Sequence, residues 1–206
     1  MNKDADSNTV FKFLDTWLLV NRVRTDPTIL LAHNATIAKG PLARYNLTSI
    51  ELKTFTFSSG AQSLSVDNTV LEPVPKRLLF TMVKNTDFLG SINTNIYFFR
   101  QYDLSYFPLY VNGKQIPTEG LALNMGHEKT SVMGYRTLIE ASGIHHSNSG
   151  LQIARDMYIN GYFMLLFDLT PGRSASEGHT SHADSGKIRV EWKFSKQVAR
   201  THHVYI

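Results

Sequence analysis

Lys187-Ile188-Arg189-Val190-Glu191-Trp192-Lys193-Phe194 alternates charged and apolar side chains without a break. That period of two predicts a β-strand with one buried and one wet face. Asp184-Ser185-Gly186 ahead of it is a turn signal, and Thr201 to Ile206 behind it reads as a last strand. Further back, Tyr162 to Leu169 is an almost continuous apolar run, as expected of a strand covered on both faces. Tyr106 to Ile116 reads as a hairpin around Asn112-Gly113, a pair that tolerates positive φ at both turn positions. Asn95 to Arg100, Lys76 to Lys84, Tyr45 to Phe57 and Val10 to Arg24 supply the remaining expected strands.

Short helices are expected between them. Asp26-Pro27 offers an N-cap followed by proline at the first helical position, and the helix should run to about Ala38 and stop at Gly40. A second is expected from Glu128 to Ala141, with Val132, Tyr135, Leu138 and Ile139 at helical spacing and Gly143 as its C-cap. A short turn near Leu151 to Met157 makes a third. About eight strands with long connections, and neither a repeat nor a βαβ alternation, predict an all-β fold. The expected form is an eight-stranded jelly-roll β-sandwich with short helical insertions, one domain over residues 1–206.

Composition agrees with a folded chain, with 42% hydrophobic and 18% charged residues. Cysteine is absent, which removes thiolate metal sites and cysteine nucleophiles and fits a reducing compartment. The polar start, Met1 to Asp6, lacks the apolar stretch of a signal peptide, and no run approaches a membrane span, so no membrane partner is expected. Net charge is +4. Its excess gathers near the end, where Lys187, Arg189, Lys193, Lys196 and Arg200 face Glu191. Two readings of that stripe stand: a weak nucleic-acid contact through the basic C-terminal strands, or the solvated face of a protected edge strand.

Histidine is the residue type with most chemical potential. His179-x-x-His182 beside Glu177 and Asp184 has the ligand types of a metal site, but a Gly/Ser-rich loop does not hold two imidazoles in register. The doublets His145-His146 and His202-His203 cannot chelate one ion from a strand, because neighbours point to opposite faces. Ser58-Ser59-Gly60 and Ser147-Asn148-Ser149-Gly150 lack the strand-turn-helix setting of a nucleophile elbow. The expectation is therefore no enzyme, with no catalytic residue, metal ligand or cofactor. The aromatic cluster Tyr97-Phe98-Phe99, with Tyr102, Tyr106, Phe107 and Tyr110, suits a core, or else a stacking surface for sugars or bases.

The order of motifs over residues 71–206 carries a resemblance. Arg77 to Val83 is followed by Asn85, Gly90 and Asn93 to Phe99, then by the strand-turn-strand from Leu109 to Pro117. Tyr135-Arg136-Thr137-Leu138 ends at Gly143. Phe167-Asp168-Leu169-Thr170-Pro171, reached from Gly161 and Tyr162, precedes Gly186-Lys187-Ile188-Arg189-Val190 and Phe194. This series resembles the C-terminal jelly roll of the double jelly-roll major capsid proteins of the Polinton/Maverick type, including adintovirus- and virophage-like forms. Two departures stand out: Asn93-Thr94-Asn95 replaces the Asn-Pro-Phe common in that family, and one roll is present where the family has two.

The resemblance implies a structural capsid protein that assembles into hexon-like trimeric capsomers, located in a virion or otherwise in the cytoplasm or nucleus. Its implied partners are further copies of itself, as a homo-trimer or larger, and a second jelly-roll domain or other capsid proteins. The candidate assembly contacts are Tyr97, Phe98, Phe99, Tyr135, Leu138, Ile139, Phe167 and Asp168. Two competing readings are a ligand- or glycan-binding β-sandwich without catalysis, and a cupin-like enzyme whose histidines would have to converge inside a barrel.

Overall fold

A computed structural model describes residues 12–43, 47–69, 73–91, 93–123, 132–144, 147–176 and 184–206. The chain divides into two compact units, Met1–Ile50 and Glu51–Ile206.

In the first unit, helix α1 spans Pro27–Ala38. Asp26 caps it by accepting a hydrogen bond from the Thr28 amide at 2.9 Å, and Pro27 occupies the first turn. Residues 12–26 have no regular structure. The strand expected between Val10 and Arg24 does not form over its described part, because its backbone finds no partner strand there.

The second unit holds two four-stranded antiparallel sheets, built from β1 (Thr54–Phe57), β2 (Ser63–Val66), β3 (Arg77–Lys84), β4 (Leu104–Val111), β5 (Lys114–Ala122), β6 (Leu165–Asp168), β7 (Ile188–Phe194) and β8 (His202–Tyr205). One sheet has the order β1-β8-β3-β6, the other β2-β7-β4-β5. Helices α2 (Asn85–Phe88), α3 (Val132–Ser142) and α4 (Arg155–Ile159) lie between strands. In β7, Ile188, Val190, Trp192 and Phe194 are buried while Arg189 and Lys193 are exposed. Asn112 and Gly113 turn β4 into β5 with φ of 51° and 76°, and Leu109 pairs with Ile116.

Both sheets send side chains into one core. Phe80 on β3 meets Phe107 on β4 and Trp192 on β7 at ring distances of 5.0 and 6.2 Å, and Phe57 on β1 stands edge-on to Phe194 at 5.1 Å. Offset and edge-to-face rings fill such a space without facing their negative π-clouds. Helix α3 packs along β6 and more lightly against β5, burying Gly134, Leu138 and Ala141.

This architecture corrects the all-β expectation. The fold is mixed α/β, with 21% helix and 29% strand among the described residues, and its sheets stay open with an edge strand on each side. It is not the eight-stranded jelly-roll sandwich anticipated, and the capsid-roll resemblance falls with it. So do the shell-forming function, the trimeric capsomer and the virion setting that rested on the resemblance, as well as the glycan-binding β-sandwich and cupin alternatives. The physical reasons are local. Of the described part of Tyr45 to Phe57, residues 47–52 form no strand, and only Thr54–Phe57, continued by a pair of backbone bonds between Lys53 and Ile206, lies along β8. The aromatic run Asn95 to Arg100 makes a turn, with the Phe98 amide bonded to the Asn95 carbonyl; its one ladder-type pairing is the isolated bridge of Phe99 to Tyr162, beside a bond from the Arg100 amide to the Met82 carbonyl and the packing of Phe99 on Tyr205.

Candidate functional site

Four segments of the second unit surround an open cleft of about 710 Å³. Lys84 ends β3, residues 100–103 lead into β4, Ile159 and Asn160 close α4, and residues 196–200 with His202 join β7 to β8. Register explains the meeting: in the β3–β8 ladder Lys84 lies opposite His202, so the end of one strand sits beside the start of the other.

The β7–β8 connection is pinned from below. The Ser195 amide bonds to the Asp103 carbonyl at 2.9 Å, the Val198 amide to the Ala61 carbonyl at 2.9 Å, and the Gly60 amide to the Val198 carbonyl at 2.7 Å. Ser59 Oγ donates to the Ala199 carbonyl at 3.1 Å, and the Val198 side chain is buried. Lys196, Gln197 and Arg200 therefore stand outward from an anchored backbone. Across from them, Tyr102 and Asp103 hold φ of 45° and 56°. Consecutive non-glycine residues in the left-handed region are uncommon and cost on the order of 1 kcal/mol or more each. The turn is held by the Leu104 amide bonding back to Gln101.

Charge sets the cleft apart. Lys84, Arg100, Lys196 and Arg200 line it against one carboxylate, Asp103. Among the described residues none of these four cations makes an ion pair. The Arg100 guanidinium lies 4.5 Å from the centre of the Phe98 ring. His202 packs its ring 4.0 Å from that of Tyr102 and bonds through Nδ1 to the Arg200 carbonyl. Burial pulls its pKa below 6.5, and the Lys84 charge pulls the same way. Burial pushes the Tyr102 phenol up to about 12, with the Asp87 carboxylate adding to the effect, so it stays protonated.

The strand half of the basic stretch behaves differently. Arg189 pairs with Asp67 at 3.4 Å and with Glu191, and Lys193 reaches Glu191 at 3.9 Å. A second cavity of about 250 Å³ lies between α3, β5 and β6. Its charges are also answered: Glu140 bridges Arg136 and Arg173, and Asp168 accepts from the Thr170 amide and hydroxyl and from the Ala175 amide.

The residues expected as assembly contacts do not form one surface. Tyr97 is 69% exposed, while Phe98 and Phe99 are part-buried. Tyr135 donates its hydroxyl to the Ile153 carbonyl at 2.7 Å, and Ile139 is part-buried on the same helix. Leu138 and Phe167 belong to the core, Phe167 stacked on Phe107 at 5.8 Å, and Asp168 organises the turn after β6. His145, His146, Glu177, His179 and His182 lie outside the described residues, as does residues 177–183 of the Thr170 to Ser185 loop. Among the described residues no group of three or more metal-ligating side chains gathers, and no helix is long and apolar enough to cross a membrane.

The sequence pointed to Lys196 and Arg200 through the basic stretch and to Tyr102 through the aromatic cluster, but not to Lys84 and Arg100 as their neighbours. Lys84 ends β3, and its signal lay in the pairing of β3 with β8, which periodicity does not reveal. No protein-family model, curated protein or solved structure matches the chain.

Proposed function

We propose that the chain is a binding module, without catalysis, that takes a stretch of single-stranded nucleic acid in the cleft lined by Lys84, Arg100, Lys196 and Arg200. The observation that carries this reading is the convergence on one open cleft of four cations, none of which makes an ion pair among the described residues, against a single lining carboxylate, Asp103. Cations held together without acid partners repel one another, and an anion relieves that repulsion. A cleft of about 710 Å³ exceeds the needs of a single phosphate and suits a strand that passes along it. Exposed Tyr97, close in sequence to Arg100, adds a π-face of the kind on which bases stack. Arg100, whose guanidinium lies 4.5 Å from the centre of the Phe98 ring, is the kind of side chain that binds phosphate in a bidentate manner.

The test is a fluorescence anisotropy titration with a labelled oligothymidylate, run against a duplex of equal length, a nucleoside triphosphate and a sulfated glycan. The single strand is expected to bind tightest. Equal affinity for the sulfated glycan would reduce the site to a general polyanion surface and overturn the nucleic-acid reading.

A further inference from the structure

We propose that Asp103 makes the cleft select guanine, its carboxylate accepting from the N1–H and the exocyclic amine of a base in the bound strand. The assignment rests on the single-strand reading of the cleft and names the base it holds. A carboxylate is out of place in a site for a polyanion, because it repels phosphate. Yet Asp103, part-buried, lines the cleft among Lys84, Arg100, Lys196 and Arg200. Among the described residues its carboxylate makes no ion pair and accepts no hydrogen bond.

The backbone accounts for the turn and not for the charge. The φ of 56° is one that Asp and Asn tolerate better than most residues. The Asp103 carbonyl accepts from the Ser195 amide at 2.9 Å and from Ser195 Oγ at 3.2 Å. Asparagine would serve both ends without repelling an anion. Strained backbone of this kind gathers at ligand sites, where it aims a side chain.

The chemistry of a carboxylate selects the base. When ionised it only accepts, through two oxygens side by side, and it grips best a partner with two adjacent N–H groups. Adenine and cytosine offer one amine next to a ring-nitrogen lone pair. Thymine and uracil offer one N–H between two carbonyls. Guanine alone sets N1–H beside an amine. Its other edge, O6 and N7, accepts, and Arg and Lys are the side chains that donate to it. A cleft of four cations and one carboxylate thus complements both the phosphates and this base.

Anisotropy titrations with labelled oligothymidylates carrying one central guanine, inosine or adenine test this against the all-thymine strand. Guanine is expected to tighten binding about tenfold, and inosine, which lacks the amine, to lose most of that gain. Asp103→Asn is expected to abolish the preference and to bind the all-thymine strand more tightly, since the like charge is gone. The near-ultraviolet signal of Trp192 checks that the variant folds. Equal binding of the guanine and all-thymine strands, or a guanine preference that survives Asp103→Asn, would overturn the base assignment and leave the single-strand reading standing. No binding of any strand would overturn both.

Discussion

Replacing Lys196 and Arg200 by glutamine should halve the salt sensitivity of single-strand binding, while the same change at Arg189 and Lys193 should leave it alone. All four residues belong to one basic stretch of sequence, so charge count alone predicts equal effects. The structure separates them. Arg189 and Lys193 already face Asp67 and Glu191, whereas Lys196 and Arg200 line the cleft with no ion pair among the described residues. Each phosphate neutralised on a single strand contributes about 0.7 to the slope of log affinity against log salt, so four cleft cations give a slope near −2.8. Raising salt fourfold should then weaken binding by roughly 50-fold. Lys196→Gln/Arg200→Gln leaves two cations, a slope near −1.4 and a loss of roughly 7-fold over the same range. Both residues are exposed on a backbone held through Ser195, Val198 and Ala199, so the variant should keep its fold. Anisotropy titrations at several salt concentrations read the slope directly. Equal slopes in the two double variants would refute the assignment of the cleft and return the effect to diffuse surface charge.

Three further outcomes probe the fold. Both His202 and His203 have their pKa lowered by burial, so below about pH 6.5 the unfolded chain binds protons that the folded chain refuses. Their contribution is complete above that value and is lost as pH falls toward the folded values. The urea midpoint should therefore drop between about pH 7 and 5.5, and less so in His202→Asn/His203→Asn; a flat wild-type profile would contradict this. Phe80→Ala removes a ring packed against Phe107, Phe167 and Trp192 and should cost about 3–5 kcal/mol in chemical denaturation. Gly120 has a φ of +69°, and a Cβ there would lie 2.5 Å from the Tyr106 hydroxyl. Gly120→Ala should thus destabilise by about 1–3 kcal/mol, whereas Gly150→Ala, with open space around it, should stay within about 0.5 kcal/mol of the parent.

Where a local rule governs the backbone, the sequence was legible. Alternation placed β7, Asn112-Gly113 placed the β4–β5 hairpin, and Asp26-Pro27 placed the start of α1. Where the outcome depends on a distant partner, it was not. Tyr97-Phe98-Phe99 has strand composition, yet β propensity mostly reports how a side chain fits a neighbouring strand. Phe99 packs on Tyr205 and bridges to Tyr162, and no strand runs alongside the rest. Helical content was undervalued for the same reason. An interruption between strands reads as an insertion until α3 is seen to bury Leu138 against the sheet.

The candidate site extends this reasoning to charge. A cation's role is fixed by what stands opposite it, and in a strand the facing residues come from the ladder. Within β7, Arg189 and Lys193 flank Glu191 on one wet face, so the local period of two supplies their partner. Beyond Phe194 the period ends. Val198 turns inward as an anchor, and Lys196 and Arg200 are carried to the junction where β3 meets β8. Lys84 and Arg100 wait there and add to the charge, with Asp103 the single carboxylate lining the cleft against them. One basic stretch is thus divided by the end of a strand: Arg189 and Lys193 are paired along β7, Lys196 and Arg200 make no ion pair among the described residues, and it is the second pair that leaves electrostatic work for a ligand to do.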